Sequence, residues 1–175
     1  MSYFDIDDIL ASAEKIPCKF NSDAPGLGYL QGNPGHAIPK NSKVEVPFWL
    51  ASVLVENPLF DEDDQEFIEL GETKFEASQF VNAIRASGSS VDLHLIYPFY
   101  YDLVVLWSKL HMELPSGKQA MKLLNERAME IYNYANNSNK PVNNRFLLLL
   151  DEFEKTLFKK ASELNKLTKH WLEGS

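Results

Sequence analysis

The chain has 175 residues, 45% of them hydrophobic and 12% aromatic, enough to bury about two-thirds of its unfolded surface in a core, and too apolar for an intrinsically disordered chain. Its formal net charge of −8 is uneven: residues 1–75 carry 14 acids against 5 bases, and residues 145–175 carry 5 against 6. Strong autonomous binding to nucleic acid needs a basic face that releases counterions, so this balance argues against it; an acidic N-terminal surface suits a basic protein partner.

Apolar runs such as Phe146–Leu150 fall far short of the roughly 20 residues of a membrane-spanning helix, so no membrane is expected. Asp5 and Asp7 stand where a secretory signal would be basic and then apolar. The single cysteine, Cys18, cannot form an internal disulfide, which fits a reducing compartment.

In chain order, Asp5 or Asp7 can cap a helical turn through Ala11, because a short carboxylate accepts the free first-turn amides. Residues 16–20 alternate as a strand, with Pro17 predicting an edge position. Turn chemistry fills 23–28 and 32–35, and strands are expected to flank it. Lys43–Val46 alternates again; Pro47 then ends the ladder and opens an apolar helix containing Phe48, Leu50, Ala51, Val53, Leu54 and Val55. Ile9, Leu10, Leu30, Val46, Trp49 and Leu50 are the expected core of this small unit. Residues 58–66, with the acid run 61–64, read as a solvated linker.

After a short strand at 67–70, helical periodicity takes over. Residues 75–86 place Phe80, Val81 and Ile84 on one face, and Gly88 stops the helix. A break holds Asp92, Leu93 and His94, and Pro98 opens a helix running to about 111. That helix is apolar almost all round and has to be buried on every side. Tyr100, Leu103, Leu106, Trp107 and Leu110 are therefore expected at a subunit interface. The helix 117–136 is amphipathic, with Met121, Leu124, Ala128, Ile131 and Ala135 inward and Glu126, Arg127 and Glu130 elsewhere. A polar loop follows. The last helix is predicted over 144–172, roughly 43 Å long, with a stripe of Phe146, Leu150, Phe153, Leu157, Ala161, Leu164, Thr168 and Trp171. Leu147, Leu149 and Phe158 lie off it and, with Trp171, are assigned to the interface. The fold class is α+β and mainly α: a small β-rich domain over 1–57, the linker 58–66, and a larger helical bundle over 67–175 with a long C-terminal helix.

Chemistry is hard to find. The four histidines (36, 94, 111 and 170) lack metal-ligand spacing. The acid run 61–64 cannot converge on one ion. Gly26, Gly28, Gly32 and Gly35 lack the lysine and the helix opening of a phosphate loop and belong to turns. The lysines 155, 159, 160, 166 and 169 could contact nucleic acid, but the acids 151, 152, 154 and 163 between them make a solvated face the better reading. A hydrolase centred on Asp92 and His94 would need a pocket that assembles only in three dimensions.

Three ordered words, Asp5-Ile6-Asp7-Asp8-Ile9-Leu10, Pro25-Gly26-Leu27-Gly28-Tyr29-Leu30 and Lys43-Val44-Glu45-Val46-Pro47-Phe48-Trp49-Leu50-Ala51, precede the helical tail. In this order they resemble the third-Psf family of eukaryotic GINS subunits, fungal members most of all. The resemblance implies a non-enzymatic nuclear scaffold without cofactor, bound to three sister GINS subunits in a heterotetramer. It also implies docking to the MCM motor ring and the forty-fifth cell-division-cycle protein in the replicative helicase, for initiation and fork progression. The alternative is a helical nucleic-acid-binding module that uses the C-terminal lysines.

Overall fold

A computed structural model describes residues 5–56, 66–110, 115–136 and 144–174, arranged as two compact units that divide between Ala77 and Ser78.

The first unit opens with α1 (Ile6–Ser12), whose cap is Asp5: its carboxylate accepts from the Asp7 amide at 3.2 Å. Three antiparallel strands, β1 (Lys15–Phe20), β2 (Lys43–Pro47) and β3 (Ile68–Leu70), form a sheet in the order β2-β1-β3. The register pairs Ile16 with Val46 and Cys18 with both Val44 and Leu70. Helix α2 (Phe48–Glu56) follows β2 directly, and its first amide donates to the Glu14 carbonyl at 2.9 Å. Cys18, Phe20, Val44, Val46, Ala51, Phe67 and Ile68 are buried together in the core, with Leu30 and Leu50 partly buried against it. Burial pushes the Cys18 thiol up to about 12, since an apolar surround disfavours the thiolate.

The glycine word 26–28 makes a close turn. A Cβ on Gly28 would collide with the carbonyl oxygens of Asn33 and His36, and the Gly28 amide donates to the His36 carbonyl at 3.0 Å.

Several expectations need correcting. Pro17 lies on the central strand, not an edge. The Phe20 amide donates to Ser42 and the Asn21 amide to Phe67, so by the alternation of an antiparallel ladder even-numbered amides face β2 and odd-numbered ones face β3. The N–H that Pro17 lacks would point one residue past the end of β3, where only the reverse bond, Gly71 amide to Pro17 carbonyl at 2.7 Å, is made. Residues 67–77 group with the first unit rather than opening the helical one. Pairing of β3 with β1, and the Asn21 side-chain bond to the Glu66 carbonyl, hold them there. Most of the expected acidic linker lies outside the described residues. Ile9, Leu10 and Trp49 are not core residues: they are 54%, 45% and 53% exposed. Helix α1 buries Ala11 instead and α2 buries Phe48 and Ala51, so the larger side chains on the other faces point outward.

The second unit contains α3 (Ser78–Ser87), a 3-10 turn at Gly88–Ser90, α4 (Leu93–Ile96), α5 (Tyr100–Leu110), α6 (Ser116–Asn136), α7 (Asn144–Leu148) and α8 (Glu152–Glu173). Asp92 caps α4, accepting from the Leu95 amide at 2.9 Å. Helix α5 packs against α4, α6 and α8. The predicted last helix is broken in two at Leu149–Asp151. There the Leu149 carbonyl accepts from the Leu93 amide, the Glu152 amide donates to the Pro98 carbonyl, and Asp151 caps α8 through the Glu154 amide at 2.8 Å. Helix α8 alone spans roughly 33 Å.

Candidate subunit interface

The inner face of α6 is Ser116, Ala120, Leu123, Arg127, Ile131 and Ala135: Ile131 and Ala135 are as predicted, but before them Ala120, Leu123 and Arg127 replace Met121, Leu124 and Ala128, one residue earlier, because an arginine occupies a core position. Arg127 is wholly buried. Its Nε donates to Glu154 Oε1 at 2.7 Å and Nη2 to Oε2 at 2.9 Å, a bidentate pair with no exposure on either side. The remaining guanidinium hydrogens go to the carbonyls of Gly88, Ser89, Val91 and Leu149 at 3.0, 3.3, 2.9 and 3.2 Å. The charge is therefore paired and every nitrogen engaged, which a buried ion pair requires.

Tyr101 donates its hydroxyl to Glu154 Oε1 at 2.9 Å, and its amide reaches Asp151 Oδ2 at 3.3 Å. Burial and the Glu154 carboxylate push the Tyr101 phenol well above its ordinary value. Burial raises Asp151 to about 7; the Glu154 carboxylate adds to the shift, while backbone bonds from Glu154 and Tyr101 oppose it. This network joins α5, α6, α8 and the turn at 88–91, and it fixes which faces of α6 and α8 point outward.

Among the described residues of the second unit, apolar faces on α8 and α6 point outward. On α8, side chains past Asn165 are exposed, and Asn165 itself donates to the Ala135 and Asn136 carbonyls at the end of α6. Helix α8 then continues by about 12 Å, carrying Leu167 (65% exposed), Trp171 (76%) and Leu172 (66%), with Leu164 (63%) just before. Leu164, Leu167 and Trp171 fall within one sector of the helix, as spacings of three and four place them. On α6, Met121, Met129 and Tyr132 are exposed on the side away from Leu123 and Arg127.

The predicted interface residues separate into groups. Tyr100, Leu103 and Trp107 are buried within their own unit and cannot present a surface. On that side the helix is covered within the chain, as Tyr100 shows by meeting Phe80 of α3 edge-on with ring centres 5.7 Å apart, whereas Val105 stays 52% exposed. Leu106, Leu110 and Leu149 are half-buried. Leu147 and Phe158 are half-buried against the cluster of Ile131, Phe146 and Leu150. Trp171 is the fully outward member. Arg127, Asp151 and Glu154, read from sequence as surface residues, are all buried. The usable signal for Arg127 was its spacing from Leu123 and Ile131, four residues either way; polarity concealed it. His94 lies 3.8 Å from Glu152 near the surface. Among the described residues no cluster of histidine, cysteine and carboxylate side chains could hold a metal, and no helix is long and apolar enough to cross a membrane.

Comparison with known proteins covers most of the chain. Residues 4–56 match the family model described as the PSF3 N-terminal domain, and residues 76–173 match the GINS complex protein helical bundle domain. Proteins named DNA replication complex GINS protein PSF3 are similar along their length. The one from Debaryomyces hansenii is 45% identical, over 98% of each chain. Those from Candida albicans and Saccharomyces cerevisiae are 43% and 36% identical, over 98% of this chain and 97% and 98% of their own.

Proposed function

This chain belongs to the GINS PSF3 family, and from that premise we propose that it is a non-catalytic subunit of a heterotetrameric GINS complex in DNA replication. In this reading it works in the nucleus, binding three sister subunits through its helical unit. The assembled complex joins the MCM motor ring to the forty-fifth cell-division-cycle protein in the replicative helicase, and catalysis belongs to the motor. The observation that carries the reading is the C-terminal half of α8, where Leu164, Leu167, Trp171 and Leu172 are exposed together. An apolar stripe of that extent, carried past the end of the helix it packs on, is costly to leave in water and supports burial against another subunit.

Co-expression with and without three sister subunits, followed by size-exclusion chromatography with light scattering, tests it. The expected result is a 1:1:1:1 particle, with a chain that self-associates when made alone. A well-behaved monomer indifferent to the sisters would overturn it.

A further inference from the structure

Helix α1 is built with its large apolar residues on the outside. On a helical wheel Ile6, Ile9 and Leu10 share one side, and Ala11, its buried residue, lies on the opposite side. Ile6 is 69% exposed, and Ile9 and Leu10 are also largely in solvent. The adjoining helix α2 buries Phe48 and Ala51 and packs Leu50, Leu54 and Val55 on the core, but leaves Trp49 and Val53 about half exposed. The two helices pack on each other, and the Phe48 amide is tied to the Glu14 carbonyl just past α1, so α1 and α2 form one small platform. Acids border it: Asp5 precedes Ile6, Asp7 lies at the edge of the apolar side and Glu56 closes α2, whereas Asp8 falls on the Ala11 side. Isolated exposed leucines are ordinary on protein surfaces, but three exposed apolar residues on a seven-residue helix, with Trp49 and Val53 half exposed on the helix packed against it, are not.

We propose that the α1–α2 platform of the first unit docks a basic amphipathic helix of a protein partner other than the three sister subunits. Apolar side chains of that helix would cover Ile6, Ile9, Leu10 and Trp49, and its lysines or arginines would face Asp5, Asp7 and Glu56. Charge complementarity selects the occupant: Asp5, Asp7 and Glu56 border the face, and without the 61–64 run the first 75 residues still hold 10 acids to 5 bases, so an acidic helix would be repelled. The inference rests on reading the chain as an assembly subunit and adds a surface to it.

The test uses the reconstituted four-subunit complex and a fluorescein-labelled helical peptide of leucine and lysine with one apolar face, read by fluorescence anisotropy. Binding is expected, and it should weaken about tenfold or more with Ile9→Ser combined with Leu10→Ser. Asp7→Asn with Glu56→Gln should weaken it less and flatten its salt dependence. None of these positions is in the core, and circular dichroism of each variant confirms folding. Equal binding of a peptide with glutamate in place of lysine, or of one with its leucines dispersed, would overturn the proposal, as would indifference to both variant pairs. Hydrogen exchange showing the α1 amides protected only within the four-subunit particle would also overturn it, by assigning the platform to a sister subunit. If no particle forms, the assembly reading fails, and titration of the chain alone still decides the platform.

Discussion

Arg127 of α6 and Glu154 of α8, neither with any solvent exposure, face each other through two hydrogen bonds of 2.7 and 2.9 Å. Arg127→Met removes the counter-charge of the buried Glu154 carboxylate, which keeps only the Tyr101 hydroxyl, and takes one donor from each of four backbone carbonyls. The expected loss is about 3–5 kcal/mol, a large share of the roughly 5–15 kcal/mol that keeps a domain folded. Combining Arg127→Met with Glu154→Leu should recover much of it, because the uncompensated charge is gone. Urea unfolding of the three variants measures this; a double substitution no better than the single one would show that the carbonyl bonds dominate.

Asp151 gives the second unit a pH dependence of unusual sign. Its folded value, raised to about 7 by burial, lies above the roughly 3.9 of an unfolded aspartate. The folded state therefore holds the proton more tightly. The stability from this group is fully present below the unfolded value and is lost as pH rises through about 7, with a slope of at most about 1.4 kcal/mol per unit. Asp151→Asn should remove this component of the slope. Thermal unfolding from pH 5 to 8 compares the two, and identical slopes would refute the assignment.

Gly28 sits where a side chain has no room, against the carbonyls of Asn33 and His36. Gly28→Ala forces the 28–36 turn open and should destabilise the first unit by about 2 kcal/mol. Hydrogen exchange at the β1 and β2 amides reports this locally, and unchanged protection would contradict it.

Leu167→Ser with Trp171→Ser tests the α8 tail. Both residues are outward, so the chain's own stability should change by about 0.5 kcal/mol or less. Affinity for the sister subunits should fall about tenfold to a hundredfold. Light scattering across a dilution series measures it; unchanged assembly would place the interface elsewhere.

The strands at β1 and β2, the capped helix α1, the 3-10 stop at Gly88 and the outward Trp171 were all legible because each rests on local chemistry: alternation, a capping carboxylate, a glycine, a stripe. What could not be read depends on partners far along the chain. The break before Asp151 requires the Leu93 amide, the Pro98 carbonyl and Arg127 to arrive from distant parts of the chain. Arg127 and Glu154 resemble surface residues until both are present, since each neutralises the other's burial cost. The inward turn of Tyr100, Leu103 and Trp107 depended on how many helices surround α5, which periodicity does not report. The inversion of α1, with Ala11 in and Ile9 out, runs against the usual rule that larger apolar residues are buried first, and that departure is what marks its outer face.

The sole thiol of the chain, Cys18, is buried in the central strand and held protonated to about 12. Maleimides react with thiolates they can reach, so the native protein is chemically silent toward them. A cysteine placed at an exposed site such as Ser90 or Lys169 would then carry a dye alone, with no native residue to remove first. Distances between dyes on this chain and on its neighbours could be read from an otherwise unaltered molecule, folded and assembled as it stands.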